Sequence, residues 1–232
     1  MNNVYIVATI RPWNITVFND TIKDYPGEWH LIANPSELTL DVINKLRPKY
    51  IFFPHWSQIV PEEILGAAPC VCFHETDLPY GRGGSPLQNL IVRGHRETVI
   101  TALLMTGELD AGPVYLKRPL SLEGLAEEIF IRAARVVADM IKTIIIENPE
   151  PVPQSGEATV FKRRKPAMSE IPLKFDRPEQ VFDHIRMLDA EEYPRAYIEY
   201  GNFRLEFSRP ALRVGAVEAE VKITPIKRGN DD

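Results

Sequence analysis

The chain has 232 residues, of which 44% are hydrophobic and 25% are charged, and these proportions are typical of a folded globular protein. The net charge of −5 gives no overall positive field for phosphate groups, so no nucleic-acid partner is expected. The sequence has neither an apolar run of about 18 residues nor a signal-peptide pattern, so we expect a cytoplasmic protein with no membrane partner.

In the first part of the chain, short β-branched and aromatic runs alternate with helical patterns. Strands are predicted at residues 4–10, 29–33, 50–53 and 70–73. Helical segments are predicted at residues 15–23, 38–46 and 61–65, the second of them capped by Ser36. The alternation predicts an α/β fold with an open, mainly parallel Rossmann-like sheet and helices on both faces. Such sheets bind ligands beyond the carboxyl ends of their strands.

The rest of the chain has a different pattern. A long amphipathic helix at residues 122–148 is followed by a turn-rich connector at 151–156 and a basic run at 161–166. A short helix at 178–188 then precedes three alternating segments, at 196–200, 203–207 and 219–223, with a Gly201-Asn202 hairpin turn between the first two. We therefore predict a larger domain over residues 1–165 and a small, mainly β C-terminal module over 166–232.

Cys70, Cys72 and His74 fall on one face of the fourth predicted strand, because strand side chains alternate. The two cysteines are too close in sequence to bridge and are expected to be free thiols. A zinc site is disfavoured, since an extended strand spreads these side chains over about 13 Å. Two alternatives stay open: a Cys72–His74 nucleophilic pair, or two thiols that pack as small hydrophobic groups.

His74 lies where a buried strand opens into a loop rich in glycine and proline, which lets backbone approach a ligand along a stiff path. A second loop, at residues 106–113, carries Asp110 between two glycines. Asp110 could orient and charge-stabilise an imidazole, as the third group of a triad does. A core histidine and a turn-capping aspartate remain the structural alternatives.

Together these motifs resemble the folate-dependent N-formyltransferases. The resemblance rests on His74, the Leu78-Pro79 and Arg82-Gly83 pairs, Pro86, Gln88, and Asp110 placed 36 residues after His74. Residues 50–65 are similar to the family's strand and helix before the catalytic strand. The turn at residues 189–194 and the β segments after it are similar to the C-terminal domain of the enzymes that act on nucleotide-linked amino sugars, including those of the pseudaminic acid route.

The resemblance implies transfer of a formyl group from N10-formyltetrahydrofolate to the amine of a UDP- or dTDP-linked amino sugar, with tetrahydrofolate as product. His74 would be general base and acid, Asp110 would orient it, and Cys72 would occupy the oxyanion position. The loop expected to bind the cofactor consists of Leu104, Met105, Thr106, Gly107, Glu108 and Leu109. The residues expected to bind the acceptor are Asp77, Tyr80, Arg82, Gly83, Trp13, Asn14, His55 and Trp56.

The sequence departs from the family pattern at Cys72, where the family carries an asparagine, a better hydrogen-bond donor than a thiol. The loop at residues 76–80 also differs from the family's Ser-Leu-Leu-Pro-Lys.

Three alternative functions stay open: a methionyl-tRNA formyltransferase-like enzyme, a non-catalytic folate or nucleotide binder, and a hydrolase with a Cys72 nucleophile. We interpret the basic run at 161–166 as a solvated edge and expect a homodimer formed through the C-terminal module.

Overall fold

A computed structural model describes residues 3–226 of the chain. Its α-helices are α1 (Pro12–Asp20), α2 (Leu40–Leu46), α3 (Glu62–Ala67), α4 (Pro86–Val92), α5 (Ala126–Glu147) and α6 (Pro178–Arg186). Its strands are β1 (Val4–Ala8), β2 (Glu28–Ile32), β3 (Tyr50–Pro54), β4 (Cys70–His74), β5 (Arg82–Gly83), β6 (Glu97–Leu104), β7 (Val114–Ser121), β8 (Val160–Phe161), β9 (Ala196–Tyr200), β10 (Phe203–Arg213) and β11 (Ala216–Pro225). Short 3₁₀ turns lie at Ile22–Asp24, Pro35–Glu37 and Pro166–Ser169.

The central sheet has six strands in the order β2-β1-β3-β4-β6-β7. The first four strands are parallel, whereas β6 runs antiparallel to β4 and β7 runs antiparallel to β6. Every residue of β3 is buried, as expected for a parallel strand covered on both faces. The predicted fold class, a mainly parallel α/β sheet with a small C-terminal β module, is confirmed.

The sheet separates two apolar layers, and β4 contributes to both of them. Val71 and Phe73 pack in the layer that includes α5, whereas Cys70 lies in the layer that includes α2 and α3. Cys72 packs against that second layer as well. Because side chains alternate along a strand, His74 continues on the α2–α3 side of the sheet and the next residue points back toward α5.

Several element boundaries differ from the predicted ones. Thr39, not Ser36, caps α2, because its Oγ1 accepts the N–H of Val42 at 3.3 Å. Helix α5 begins four residues later than predicted, at Ala126, where the Glu128 carboxylate accepts the N–H of Leu125. Strand β7 and helix α4 were not predicted from the sequence.

The C-terminal module is a three-stranded antiparallel sheet in the order β11-β10-β9. The predicted hairpin turn at Gly201-Asn202 is confirmed between β9 and β10. Strand β10 is longer than predicted and continues past an irregularity between Ser208 and Ala211 into a second hairpin. In the part of the chain that the structure describes, no helix is long and apolar enough to cross a membrane.

Arg186 anchors α6 to the segment that joins β7 to α5. Its side chain is 1% exposed, and its Nη1 donates to the carbonyl oxygens of Leu122 at 2.6 Å and Gly124 at 3.0 Å. Its Nε donates to the Asp183 carboxylate at 2.6 Å. A buried guanidinium needs such partners, so these bonds hold the C-terminal module against the central sheet.

Replacing Arg186 with methionine should lower the free energy of unfolding by about 3 kcal/mol, because the buried Leu122 carbonyl, the part-buried Gly124 carbonyl and Asp183 lose their donor. Urea denaturation followed by circular dichroism measures the loss. The matched control is Arg213→Met, which breaks an exposed pair with Glu218 at 3.0 Å and should cost less than about 1 kcal/mol. Equal losses in the two variants would contradict the anchoring role.

Candidate active site

His74 ends β4 and is held by a neighbouring loop. The residue is 7% exposed, and its Nε2 lies 2.8 Å from the carbonyl oxygen of Gly81. Because a carbonyl only accepts hydrogen bonds, Nε2 carries the hydrogen in this arrangement. The other ring nitrogen, Nδ1, is therefore the one that can accept a proton.

Asp110 faces the free side of the His74 ring. Its Oδ2 lies 3.7 Å from Nδ1, slightly beyond hydrogen-bond distance, and accepts the N–H of Gly83 at 2.8 Å. The side chains of His74 and Asp110 are only 8% and 11% exposed. The predicted partners are thus adjacent, and the carboxylate can stabilise a charged imidazole across a short gap.

The loop that carries Asp110 reaches His74 by folding back along β4. Leu104, at the end of β6, pairs with Val71, three residues before His74. The N–H of Met105 donates to the carbonyl of Cys70 at 2.7 Å, which fixes the start of the return path. At the end of the loop that carries Asp110, a Cβ on Gly112 would lie 1.8 Å from the Leu104 carbonyl oxygen, so only glycine fits there.

A second segment of the chain holds the loop that contacts both His74 and Asp110. Strand β5 pairs in parallel with β8. Thr159 accepts the N–H of Gly81 on its Oγ1 at 2.7 Å and the N–H of Arg82 on its carbonyl at 2.9 Å. The backbone of residues 81–83 is therefore held between β4 and the segment that follows the connector.

Gln154, which was not singled out from the sequence, joins the loop of Asp110 to the loop of residues 81–83. Its Nε2 donates to the carbonyl oxygens of Asp110 at 2.8 Å and Gly112 at 2.9 Å. Its Oε1 accepts hydrogen bonds from Arg82, from Nη2 at 2.9 Å and from Nε at 3.2 Å. One amide thus ties the loop of Asp110 to the loop that orients His74. The turn-rich composition around it gave no signal of this role.

Cys72 is a half-buried free thiol on β4, two residues before His74. Burial, together with the negative charge of Asp110, strongly raises the pKa of Cys72. A thiol must ionise to act as a nucleophile, so this environment argues against the Cys–His nucleophile and the hydrolase alternatives. Among residues 3–226, no group of three or more histidines, cysteines or carboxylates is placed to bind a metal ion.

The predicted cofactor loop offers unused hydrogen-bond donors. Within the described chain, the backbone amides of residues 106–110 donate to no protein acceptor, and Leu109 is 70% exposed. Trp56 and Met105 pack against the apolar layer that includes Cys70, and the Trp56 Nε1 is buried without a partner. Free amides beside an apolar wall with an unpaired indole N–H fit a flat heteroaromatic ring such as a pterin.

Three residues predicted to bind the acceptor hold the catalytic loop instead of projecting freely from it. The Tyr80 hydroxyl lies 3.3 Å from Nε2 of His95. Asp77 pairs with Lys117 at 2.5 Å, and Arg82 donates to Gln154 and pairs with Glu108 at 3.4 Å.

Of the remaining predicted acceptor residues, Gly83 donates its N–H to Asp110, and the other four divide between the two faces of the sheet. Trp13, Asn14 and His55 line one narrow cleft beside α5. Burial and the positive charge of Arg11 lower the pKa of His55 to about 3, so this ring is neutral. Trp56 lies on the opposite face, with the cofactor loop.

Comparison with known proteins groups the chain with formyltransferases. The family model described as "Formyl transferase" matches residues 33–126, and the model described as "Methionyl-tRNA formyltransferase, C-terminal domain" matches residues 166–224. A solved methionyl-tRNA formyltransferase from Clostridium thermocellum is 48% identical, covers 96% of this chain and 99% of its own, and superposes with a TM-score of 0.91.

More distant relatives differ in their sequence identity to the chain and in the share of their own length that the chain covers. The methionyl-tRNA formyltransferase of Sulfurimonas denitrificans is 27% identical over 213 residues, which are 86% of this chain and 70% of that protein. Of several further curated methionyl-tRNA formyltransferases, the chain spans only 47 to 59%. A likely sugar N-formyltransferase from Mycobacterium tuberculosis is 16% identical over 85% of this chain and 91% of its own, with a TM-score of 0.67, so it shares the fold alone.

Gln154→Ala should slow catalysis by about a hundredfold, because misplacing a catalytic pair by about 1 Å is enough for such a loss. The loss is measured by comparing the turnover rate of the variant with that of the wild-type protein under the same conditions. Gln154→Glu keeps the acceptor for Arg82 but loses both donors to the Asp110 loop, so it should be similarly slow.

The control is Gln180→Ala, which removes an equivalent side-chain bridge to the N–H groups of Asp176 and Arg177 at the start of α6. It should leave turnover unchanged. A Gln154→Ala protein with wild-type turnover and wild-type pH dependence would show that the bridge does not position the pair.

Proposed function

The chain belongs to the formyl transferase family and is a formyltransferase dependent on N10-formyltetrahydrofolate, and from that premise we propose that its acceptor is the amino group of methionyl-tRNA. The predicted nucleotide-linked amino sugar acceptor is wrong, as is the predicted absence of a nucleic-acid partner. The two relatives with 27% and 48% identity over most of the chain are methionyl-tRNA formyltransferases, whereas the sugar enzyme, at 16% identity, is similar in fold only.

The observation that carries the proposal is a cluster of cations beside the catalytic loop. The N–H of Arg164 donates to the hydroxyl of Ser85 at 3.1 Å, two residues beyond Gly83, whose N–H holds Asp110. Lys162, Arg163 and Lys165 are exposed around it. Contacts to the phosphate backbone supply most of the non-specific affinity for nucleic acids, so this surface suits the acceptor end of a tRNA.

In the proposed reaction, N10-formyltetrahydrofolate supplies a formyl carbon that becomes bonded to the acceptor nitrogen as its bond to N10 breaks. The Nδ1 of His74 accepts the proton that the attacking amine loses and returns it to the departing nitrogen, so no net proton is consumed. The Asp110 carboxylate stabilises the imidazolium in the interval. The Cys72 S–H is a weak hydrogen-bond donor toward the oxygen of the formyl group.

The loop of Leu104, Met105, Thr106, Gly107, Glu108 and Leu109 is the proposed binding site of the folate ring system. The support is chemical, since consecutive unpaired amides can bind the ring nitrogens and carbonyl of a pterin while Trp56 and Met105 form its apolar wall. The homodimer and the domain boundary near residue 165 stay predictions.

The proposed function is tested by incubating the protein with N10-formyltetrahydrofolate and methionyl-tRNA and detecting formyl-methionine after mild hydrolysis. We expect formylation by the wild type and a loss of at least about a hundredfold in His74→Asn, which keeps the polar side chain but removes the base. Uncharged tRNA and free methionine are the controls. Formylation of a nucleotide-linked amino sugar, with none of methionyl-tRNA, would contradict the proposal.

Replacing Lys162, Arg163 and Lys165 together with glutamine should raise the KM for methionyl-tRNA by about tenfold or more while kcat and the KM for the folate stay unchanged. The slope of log(kcat/KM) against log[salt] should become shallower by up to about three, because each lost phosphate contact removes about one unit.

The matched control replaces three exposed cations of the C-terminal hairpin sheet, Arg204, Arg209 and Arg213, with glutamine. It should change the salt slope little. If the two triple variants have the same KM and the same salt slope, the cluster beside the catalytic loop does not bind the tRNA.

A further inference from the structure

Arg93 directly follows α4 and is exposed on the surface beside the basic run at residues 162–165. Its Cζ lies over the Phe161 ring, 4.5 Å from the ring centre, and Phe161 is 4% exposed. The same ring packs against the loop of residues 81–83, since a Cβ on Gly81 would lie 2.7 Å from it. One aromatic side chain therefore separates Arg93 from the backbone that holds His74.

The protein uses one nitrogen of the Arg93 guanidinium and leaves the other two free. Nη1 donates to the carbonyl oxygen of Asn89 at 2.7 Å and to its Oδ1 at 2.9 Å, which uses both hydrogens of that nitrogen. Within residues 3–226, Nε and Nη2 donate to no protein acceptor, and no carboxylate pairs with the guanidinium. The Nε–Nη2 edge presents two parallel N–H groups, a geometry that fits two oxygens of one phosphate or carboxylate.

Asn89 fixes the position of Arg93 relative to the basic run. Its Nδ2 donates to the carbonyl oxygen of Lys162 at 3.1 Å and also lies 3.0 Å from the carbonyl oxygens of Gly84 and Ser85. One side chain thus connects α4, the start of the basic run and the turn before α4. Capping the end of α4 requires only the Nη1 contact, so it does not account for the free edge of the guanidinium.

We propose that the Nε–Nη2 edge of Arg93 binds one phosphate group in the single-stranded 3′ end of the acceptor RNA. The inference rests on the proposed function, in which the acceptor is methionyl-tRNA. A phosphodiester offers the two oxygens that this edge fits. The aminoacylated 3′ end has to reach His74, and Arg93 lies one side chain away from the loop that holds His74. The phosphate therefore belongs to that end and not to the double-stranded body of the tRNA.

Arg93 differs from its neighbouring cations in being held before the RNA arrives. Lys162 and Lys165 are exposed ammonium groups that act as point charges. The Arg93 guanidinium is already fixed by the Phe161 ring and by Asn89, so little side-chain entropy is lost when it binds a phosphate. Its contribution should therefore depend on the planar two-point geometry as well as on the charge.

The test compares Arg93→Lys and Arg93→Gln with the wild type in steady-state formylation of methionyl-tRNA. Arg93→Lys should raise the KM for methionyl-tRNA by about tenfold with an unchanged salt slope, because the charge stays and the two-point contact is lost. Arg93→Gln should raise this KM at least as much and make the slope of log(kcat/KM) against log[salt] shallower by about one. In both variants kcat and the KM for N10-formyltetrahydrofolate should stay unchanged.

The matched control is Arg204→Lys in the C-terminal sheet. The Arg204 guanidinium also lies over an aromatic ring, 4.0 Å from the centre of Tyr197, but it pairs with the Glu199 carboxylate at 3.0 Å. This variant should keep the wild-type KM for methionyl-tRNA.

A binding measurement locates the phosphate on the RNA. Fluorescence anisotropy gives the Kd of the wild type and of Arg93→Lys for uncharged tRNA and for the same tRNA without its single-stranded 3′ nucleotides. We expect Arg93→Lys to bind the intact tRNA about tenfold more weakly than the wild type does. The two proteins should bind the truncated tRNA equally, because the phosphate that Arg93 contacts is then absent.

Each contrary outcome has its own meaning. An active wild type with unchanged acceptor kinetics in both Arg93 variants would overturn the role of Arg93 alone. An equal loss of affinity for intact and truncated tRNA would also overturn it, as would a lower kcat accompanied by a lower melting temperature, because Arg93 would then be structural. A wild type that does not formylate methionyl-tRNA would overturn the proposed function, and the inference with it.

Discussion

Three residues of backbone, 81–83, orient both members of the proposed catalytic pair, His74 and Asp110. The carbonyl of Gly81 fixes the His74 ring, and the N–H of Gly83 fixes the Asp110 carboxylate. Both glycines have positive φ, and a Cβ on either would lie within 2.7 Å of Phe161. No other residue type fits this path without strain. The position of the pair thus depends on backbone held in place by Thr159 and Phe161, two residues far along the chain.

The sequence contained the elements that place His74 but not the contacts that orient it. The strands around His74 could be predicted because buried β-branched runs are a local signal. Asp110 was found through its glycine loop and its resemblance to a family motif, although β6 runs antiparallel and its loop must fold back to reach the histidine. Gln154 could not be found, because its role comes from a long-range approach of a connector that has ordinary turn composition.

Net charge misled the prediction of the acceptor for a physical reason. The value of −5 averages over the whole surface, whereas a polyanion responds to the local potential within about 10 Å at moderate salt. The cations at 162–165 were visible in the sequence and were interpreted as a solvated edge. Only the pairing of β8 with β5 places them beside the catalytic loop, and that pairing links segments almost 80 residues apart.

Cys72 completes the charge balance of the site. Its thiol keeps its proton because burial and the nearby Asp110 charge raise its pKa. A thiolate at this position would repel the negative charge that grows on a carbonyl oxygen during acyl transfer, so neutrality is the first requirement there. A protonated thiol meets that requirement but donates only a weak hydrogen bond. In the proposed reaction, the positive charge acquired by His74 therefore supplies more of the stabilisation of this oxygen than it would if an amide donor stood at residue 72. The hydrogen bond that holds the His74 ring to the Gly81 carbonyl consequently matters more for the reaction.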